Sequence, residues 1–145
     1  MRFAPAAAAL ALCLAISASV TTAGGRAAPD PRAAALMAEG RAELVAGDAQ
    51  AATDAFEAAL AVDPGFTPIF IDLAEAARQQ GLQGKAIRYY REALAREPGN
   101  LAAISGEGAA LAEKGAVEKA KRNLATLQSL CGADCPEARA LQSTI

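Results

Sequence analysis

The 145 residues are 53% apolar and 21% charged, with a net charge of −2. A chain of this length builds one continuous core. Its apolar fraction is rich in alanine, with 4% aromatics and no tryptophan, which favours closely packed helices over an aromatic-rich β-sandwich. Histidine is absent and the 14 Lys and Arg residues are scattered, so the commonest general base and metal ligand are missing and no basic stripe matches a phosphate backbone. Neither catalysis nor a cofactor, a metal ion or nucleic acid is expected.

Met1 and Arg2 precede an apolar run from Phe3 to Val20, broken only by Pro5, Ser17 and Ser19, and small residues follow through Gly25. That is the anatomy of a secretory signal peptide. Thr21 and Ala23 meet the small-x-small requirement, so residues 1–23 are expected to be removed, with Ala18 as the alternative cleavage point. A retained anchor is the competing reading, but the run barely spans about 30 Å of hydrocarbon and no basic stop-transfer cluster follows it. Cys13 follows Leu12, where lipoprotein acylation needs a small residue. The mature chain, with 13 basic and 16 acidic residues, is expected in a bacterial periplasm with no membrane span. Residues 24–32, with Gly24, Gly25, Pro29 and Pro31, read as a flexible lead-in, and folding is expected from Ala33.

Laid on itself with an offset of 34 residues, the chain aligns Leu36, Phe70 and Ile104; Gly40, Ala74 and Gly108; and Gly47, Gly81 and Gly115. The register continues through Ala52, Ala86 and Ala120, then Phe56, Tyr90 and Leu124. Three helix-turn-helix units are predicted, at 33–66, 67–100 and 101–132, with a capping helix at 133–145. Within each unit the small columns are expected to meet one another, letting the two helices approach closely. The large column then fills the space between one pair and the next. Gly47, Gly81 and Gly115 are expected to end the first helices in a left-handed conformation. Pro64 and Pro98, each after an acidic residue, stop the second helices. Phe66, Thr67 and Pro68 suggest a staple reaching Ile71, an N-cap and an N1 proline, and Asn100 a further cap. Gly106, a second glycine inside one helix, reads as a tolerated weakness of about 1 kcal/mol, with a close ligand approach as the alternative.

This pattern resembles the tetratricopeptide repeat (TPR) family. The middle unit, FIDLAEAARQQGLQGKAIRYYREALAREP from Phe70 to Pro98, carries it best. The first, LMAEGRAELVAGDAQAATDAFEAALAVDP from Leu36 to Pro64, places Glu39 and Glu43 where the family has a Leu and an aromatic or aliphatic residue. The third has Gly132 in place of the closing proline. The resemblance implies an all-α, right-handed α-solenoid acting as a non-catalytic protein-protein interaction module. Its concave face would take a peptide or helix of an envelope partner. By alignment that face carries Met37, Arg41 and Leu44, then Ile71, Glu75 and Arg78, then Ser105, Ala109 and Ala112. The family's chaperone-tail binders clamp a terminal carboxylate with Lys, Asn and Arg; here Met37, Asp72, Ala102 and Gly106 stand at the matching places.

Cys131 and Cys135 remain in the mature chain, and an even count in an exported protein points to a disulfide. Pro136 and Glu137 can open a last helix with Ala138, Leu141 and Ile145 on one face, so the bond would staple that cap to the third unit. Free thiols and a thiol-disulfide redox protein are the alternatives, although oxidoreductase motifs place two residues between their cysteines and zinc asks for four ligands. A structural subunit docking end to end is a further reading, and the pattern fixes no oligomeric state.

Overall fold

A proline in the first turn and an acid just before it start the first described helix two residues ahead of Ala33. In the computed structural model, which describes residues 28–145, Pro31 opens α1 (Pro31–Ala46), and the Asp30 carboxylate accepts the Arg32 N–H at 2.8 Å. Proline suits this place because its fixed φ is helical and the N–H it lacks has no helical partner. The expected signal peptide at 1–23, its cleavage point and the lead-in as far as residue 27 lie outside the described residues.

Six more helices follow: α2 (Ala49–Val62), α3 (Pro68–Gln79), α4 (Gln83–Arg96), α5 (Leu101–Glu113), α6 (Val117–Cys131) and α7 (Pro136–Thr144). No strand occurs among the described residues. Within each of the three pairs the connection is two or three residues long, which turns the second helix back along the first. Each pair packs on the next, and α7 packs on both α5 and α6. The architecture is thus the α-solenoid of three helix pairs and a cap that the 34-residue period predicts.

The turns repeat as the spacing requires. Gly47 adopts φ 86°, a region a side chain disfavours, and this lets the Asp48 N–H reach the Glu43 carbonyl at 2.9 Å. The same closure recurs after α3, where the Leu82 N–H reaches the Ala77 carbonyl at 2.9 Å, and after α5, where Ala116 reaches Leu111 at 2.8 Å. Asp48 and Asn100 cap α2 and α5 through the N–H groups of Ala51 and Ala103. Thr67, expected as a cap, makes no side-chain bond to α3. Phe66 does not meet Ile71 as a staple: it packs with Ile69 and Leu73 in the first core cluster, whereas Ile71 lies against the second.

The core is three linked clusters, one for each junction. Met37, Phe56, Ile69 and Leu73 fill the first, Phe70, Ile87, Tyr90 and Leu111 the second, and Ile104, Leu127, Ala138 and Leu141 the third. Leu60 and Tyr89 bridge the first two. In the second unit Ala74 and Ala86 share one core cluster, as expected, while the glycines of the other two units also serve large side chains. A Cβ at Gly40 would run into the ring of Phe56, and one at Gly108 into Leu141 of α7, so each glycine makes room for a large side chain. Full burial of a ring such as Phe56 is worth about 1.5–3 kcal/mol, which a spacer methyl at Gly40 would forfeit.

Candidate functional site

The first helices of the second and third units, together with α7, line an open hollow of about 440 Å³. From α3 come Ile71, Asp72, Glu75 and Arg78; from α5 come Ala102, Ser105 and Gly106; from α7 come Pro136, Glu137 and Ala140. Tyr90 of α4 reaches it from behind α5. Its way in is Gly106, where any Cβ would overlap the Tyr90 ring. Gly106 is therefore required by packing; the expected tolerance was the wrong reading, and the close approach there is that of a tyrosine of the same chain.

Polar groups in the hollow are extensively cross-linked. The Glu75 carboxylate accepts from Arg78 at 2.8 Å and from the Tyr90 hydroxyl at 3.2 Å. Arg78 also pairs with Glu113 of α5. Burial alone would lower the pKa of Arg78, but Glu113, Glu75 and Tyr90 outweigh it and raise the value, so the guanidinium stays charged. Burial, then the charge of Glu75, pushes the Tyr90 phenol up, and it remains a neutral donor. Asp72 holds Arg41 of α1 at 2.8 Å; burial nevertheless raises its pKa, against the lowering effect of Arg41. Ser105 donates to the Glu137 carbonyl at 3.0 Å and so holds α7 over α5.

Of the residues expected on the concave face, the structure brings Ile71, Glu75, Arg78 and Ser105 into one hollow. Arg41 is exposed and reaches that neighbourhood through Asp72. Met37 is 3% exposed and belongs to the core, against which Leu44 packs half-buried; their helix carries them toward α2 and α3 instead of outward. Ala109 is likewise buried in the third cluster, and Ala112 packs against the second. Sequence reasoning missed Pro136, Glu137 and Ala140, because the repeat alignment ends before α7. The apolar spacing of Ala138 and Leu141 was the available signal that this helix packs on the third unit and so flanks its face.

Cys131, the last residue of α6, and Cys135, the N-cap of α7, form a disulfide with Cα atoms 5.8 Å apart. It spans the connection between the two helices. Glu137 lies beside both sulfurs, but sulfurs bonded to each other are not thiolates and offer a metal little. Among the described residues no helix is long and apolar enough to cross a membrane.

Helix pairs of this period, glycine-closed turns and a capping helix define a class, the tetratricopeptide-repeat solenoid, and this chain has that fold. Solved structures agree. The first TPR of Spaghetti (RPAP3), bound to the HSP90 peptide SRMEEVD, is similar with a TM-score of 0.70 and 22% identity over 78% of this chain and 90% of that one. The Sgt2 TPR domain from Aspergillus fumigatus gives 0.73 and 25% identity, over 83% of this chain and 82% of that one. The MamA protein gives 0.63 and 26%, over 68% and 54%. No family model matches the sequence, and no curated protein does.

Proposed function

We propose that this chain is a non-catalytic adaptor of the bacterial cell envelope that holds a peptide or helix of a partner protein in the hollow between α3, α5 and α7. The observation that carries the reading is the hollow itself. It is a preformed recess of about 440 Å³ with small exposed residues at Ala102 and Ala140 for close approach and Ile71 for apolar contact. Likeness to TPR domains, one of them bound to an HSP90 peptide, supports the same use. Export is supported by the signal anatomy of residues 1–23 and by the Cys131–Cys135 disulfide, which persists in oxidising compartments.

The chemistry of the peptide follows from the charges. Asp72, Glu75 and Glu137 line the hollow, and the one lining cation among the described residues, Arg78, is already engaged by Glu75 and Glu113. A free terminal carboxylate finds no open cation there, so the peptide is neutral or basic with an apolar anchor. The disulfide, placed between α6 and α7, supports a staple that shapes the hollow over the redox alternative, which no further feature favours.

The test is crosslinking and co-purification from the native envelope fraction, comparing the parent with an Ala102→Arg, Ala140→Arg variant. Both alanines are exposed, so the added side chains fill the recess without entering the core. Partners captured by the parent and lost in the folded variant are expected; identical capture by both would remove the hollow from the function.

A further inference from the structure

A second hollow, of about 400 Å³, opens on the side formed by the second helices. Arg88 and Arg91 enter it from α4, Lys114 from the end of α5 and Lys119 from the first turns of α6, over a floor containing Ile87 and Leu111. Among the described residues no acidic side chain lines it. Arg91 is held by Glu107 at 2.7 Å. The neighbouring acids are otherwise committed: Glu92 to Arg96 at 2.9 Å, Glu118 to Lys121 at 2.9 Å and Glu113 to Arg78. Arg88, Lys114 and Lys119 are left without an ion pair among the described residues.

The backbone adds to this field. Gly84 has no side chain to fend off Lys114, whose Nζ lies 3.9 Å from where a Cβ would stand, so the ammonium reaches the first turn of α4. Both α4 and α6 start here without a side-chain cap, and their N-terminal N–H groups add positive ends beside the C-terminus of α5, which Lys114 closes. Gathering unpaired cations in one recess of a chain whose net charge is −2 sets up a local positive field that attracts an anionic partner.

We infer that this hollow is a second docking site, for an acidic segment of a protein partner whose Asp or Glu side chains meet Arg88, Lys114 and Lys119. The cations come from α4, the end of α5 and α6 around an apolar floor, so several carboxylates of one segment, with small apolar groups between them, can meet them together. A nucleic acid would extend its backbone beyond one recess onto an acidic chain. The site is on other helices than the α3–α5–α7 hollow and stands independently of its use.

The experiment is a fluorescence anisotropy titration of the purified chain with a short labelled peptide of alternating Glu and Ala, beside its Gln and Ala counterpart. The acidic peptide binds, the neutral one does not, and binding weakens as salt rises from about 50 to about 200 mM. Lys114→Glu with Lys119→Glu weakens binding by about tenfold or more, and Lys119→Gln, a milder change on an exposed residue, by a smaller factor. Ala102→Arg with Ala140→Arg leaves it unchanged. Equal binding of the two peptides, or an undiminished affinity in the folded Lys variants, overturns the proposal. So does displacement of the peptide by inorganic phosphate where chloride of equal ionic strength fails, which would mark a small-anion site.

Discussion

The two hollows are nearly the same size, about 440 and 400 Å³, and treat their charges in opposite ways. In the one between α3, α5 and α7, Arg78 has an acid three residues back and another on the next unit, and its charge is spent on shaping the recess. In the one between α4, α5 and α6, Arg88 has Glu92 one turn on, but Glu92 has turned to Arg96. A paired arginine positions helices and an unpaired one remains available to a partner; which of these it becomes is decided by the acids in reach, since exposed pairs are individually worth about 1 kcal/mol or less.

The comparison breaks most readily at the glycines and helix ends. Gly106→Ala, in the first hollow, is expected to destabilise the fold by about 2 kcal/mol despite the better helix propensity of alanine, because the Tyr90 ring it meets is 2% exposed and has nowhere to go. Thermal unfolding measures this, and adding Tyr90→Leu should recover part of the loss; additive costs would show that the two residues are not coupled. Replacing Cys131 and Cys135 by serine is expected to cost about 1–2 kcal/mol. The loss should be local: amide hydrogen exchange should quicken in α7 while the α4–α5–α6 hollow keeps its protection.

Tyr90→Phe is expected to cost about 1 kcal/mol near neutral pH through loss of the bond to Glu75. Its pH course is diagnostic. The phenol's pKa is raised in the folded chain by burial and by Glu75, so its contribution is whole below the unfolded value of about 10. Above that the unfolded chain ionises first, and the contribution fades as pH climbs toward the folded value. Denaturant titrations near pH 8 and near pH 11 should therefore show the gap between parent and variant narrowing; a constant gap would put the hydroxyl outside this network. Gly84→Ala, in the second hollow, should have the smallest effect, within about 0.5 kcal/mol, since the new methyl meets only the tip of Lys114 in ordinary contact. A large loss there would mean that the second hollow is as tightly built as the first.

Helices, turns and their order were legible because they depend on neighbours close in sequence: a glycine at positive φ, a proline at N1, an apolar face every third or fourth residue. Contacts between units were not. The offset alignment sets Tyr90 beside Phe56 and Leu124, but nothing in it points to Gly106, sixteen residues away on another helix. Asp72 stood out as a departure from the family's clamp, yet its engagement with Arg41 became visible only once α1 and α3 lay side by side. Met37 illustrates a different limit, since a methionine on a helix can face core or solvent and only the packing of α2 and α3 decides.

Arg41 to Asp72 and Arg78 to Glu113 join the first helices of successive units. Both links run from side chain to side chain, so they act as two clasps beside the core clusters the units share. Clasps made of charge slacken in salt and tighten without it. The grip between successive first helices is thus expected to follow the ionic strength around the protein, so that part of how firmly the units hold together belongs to their surroundings.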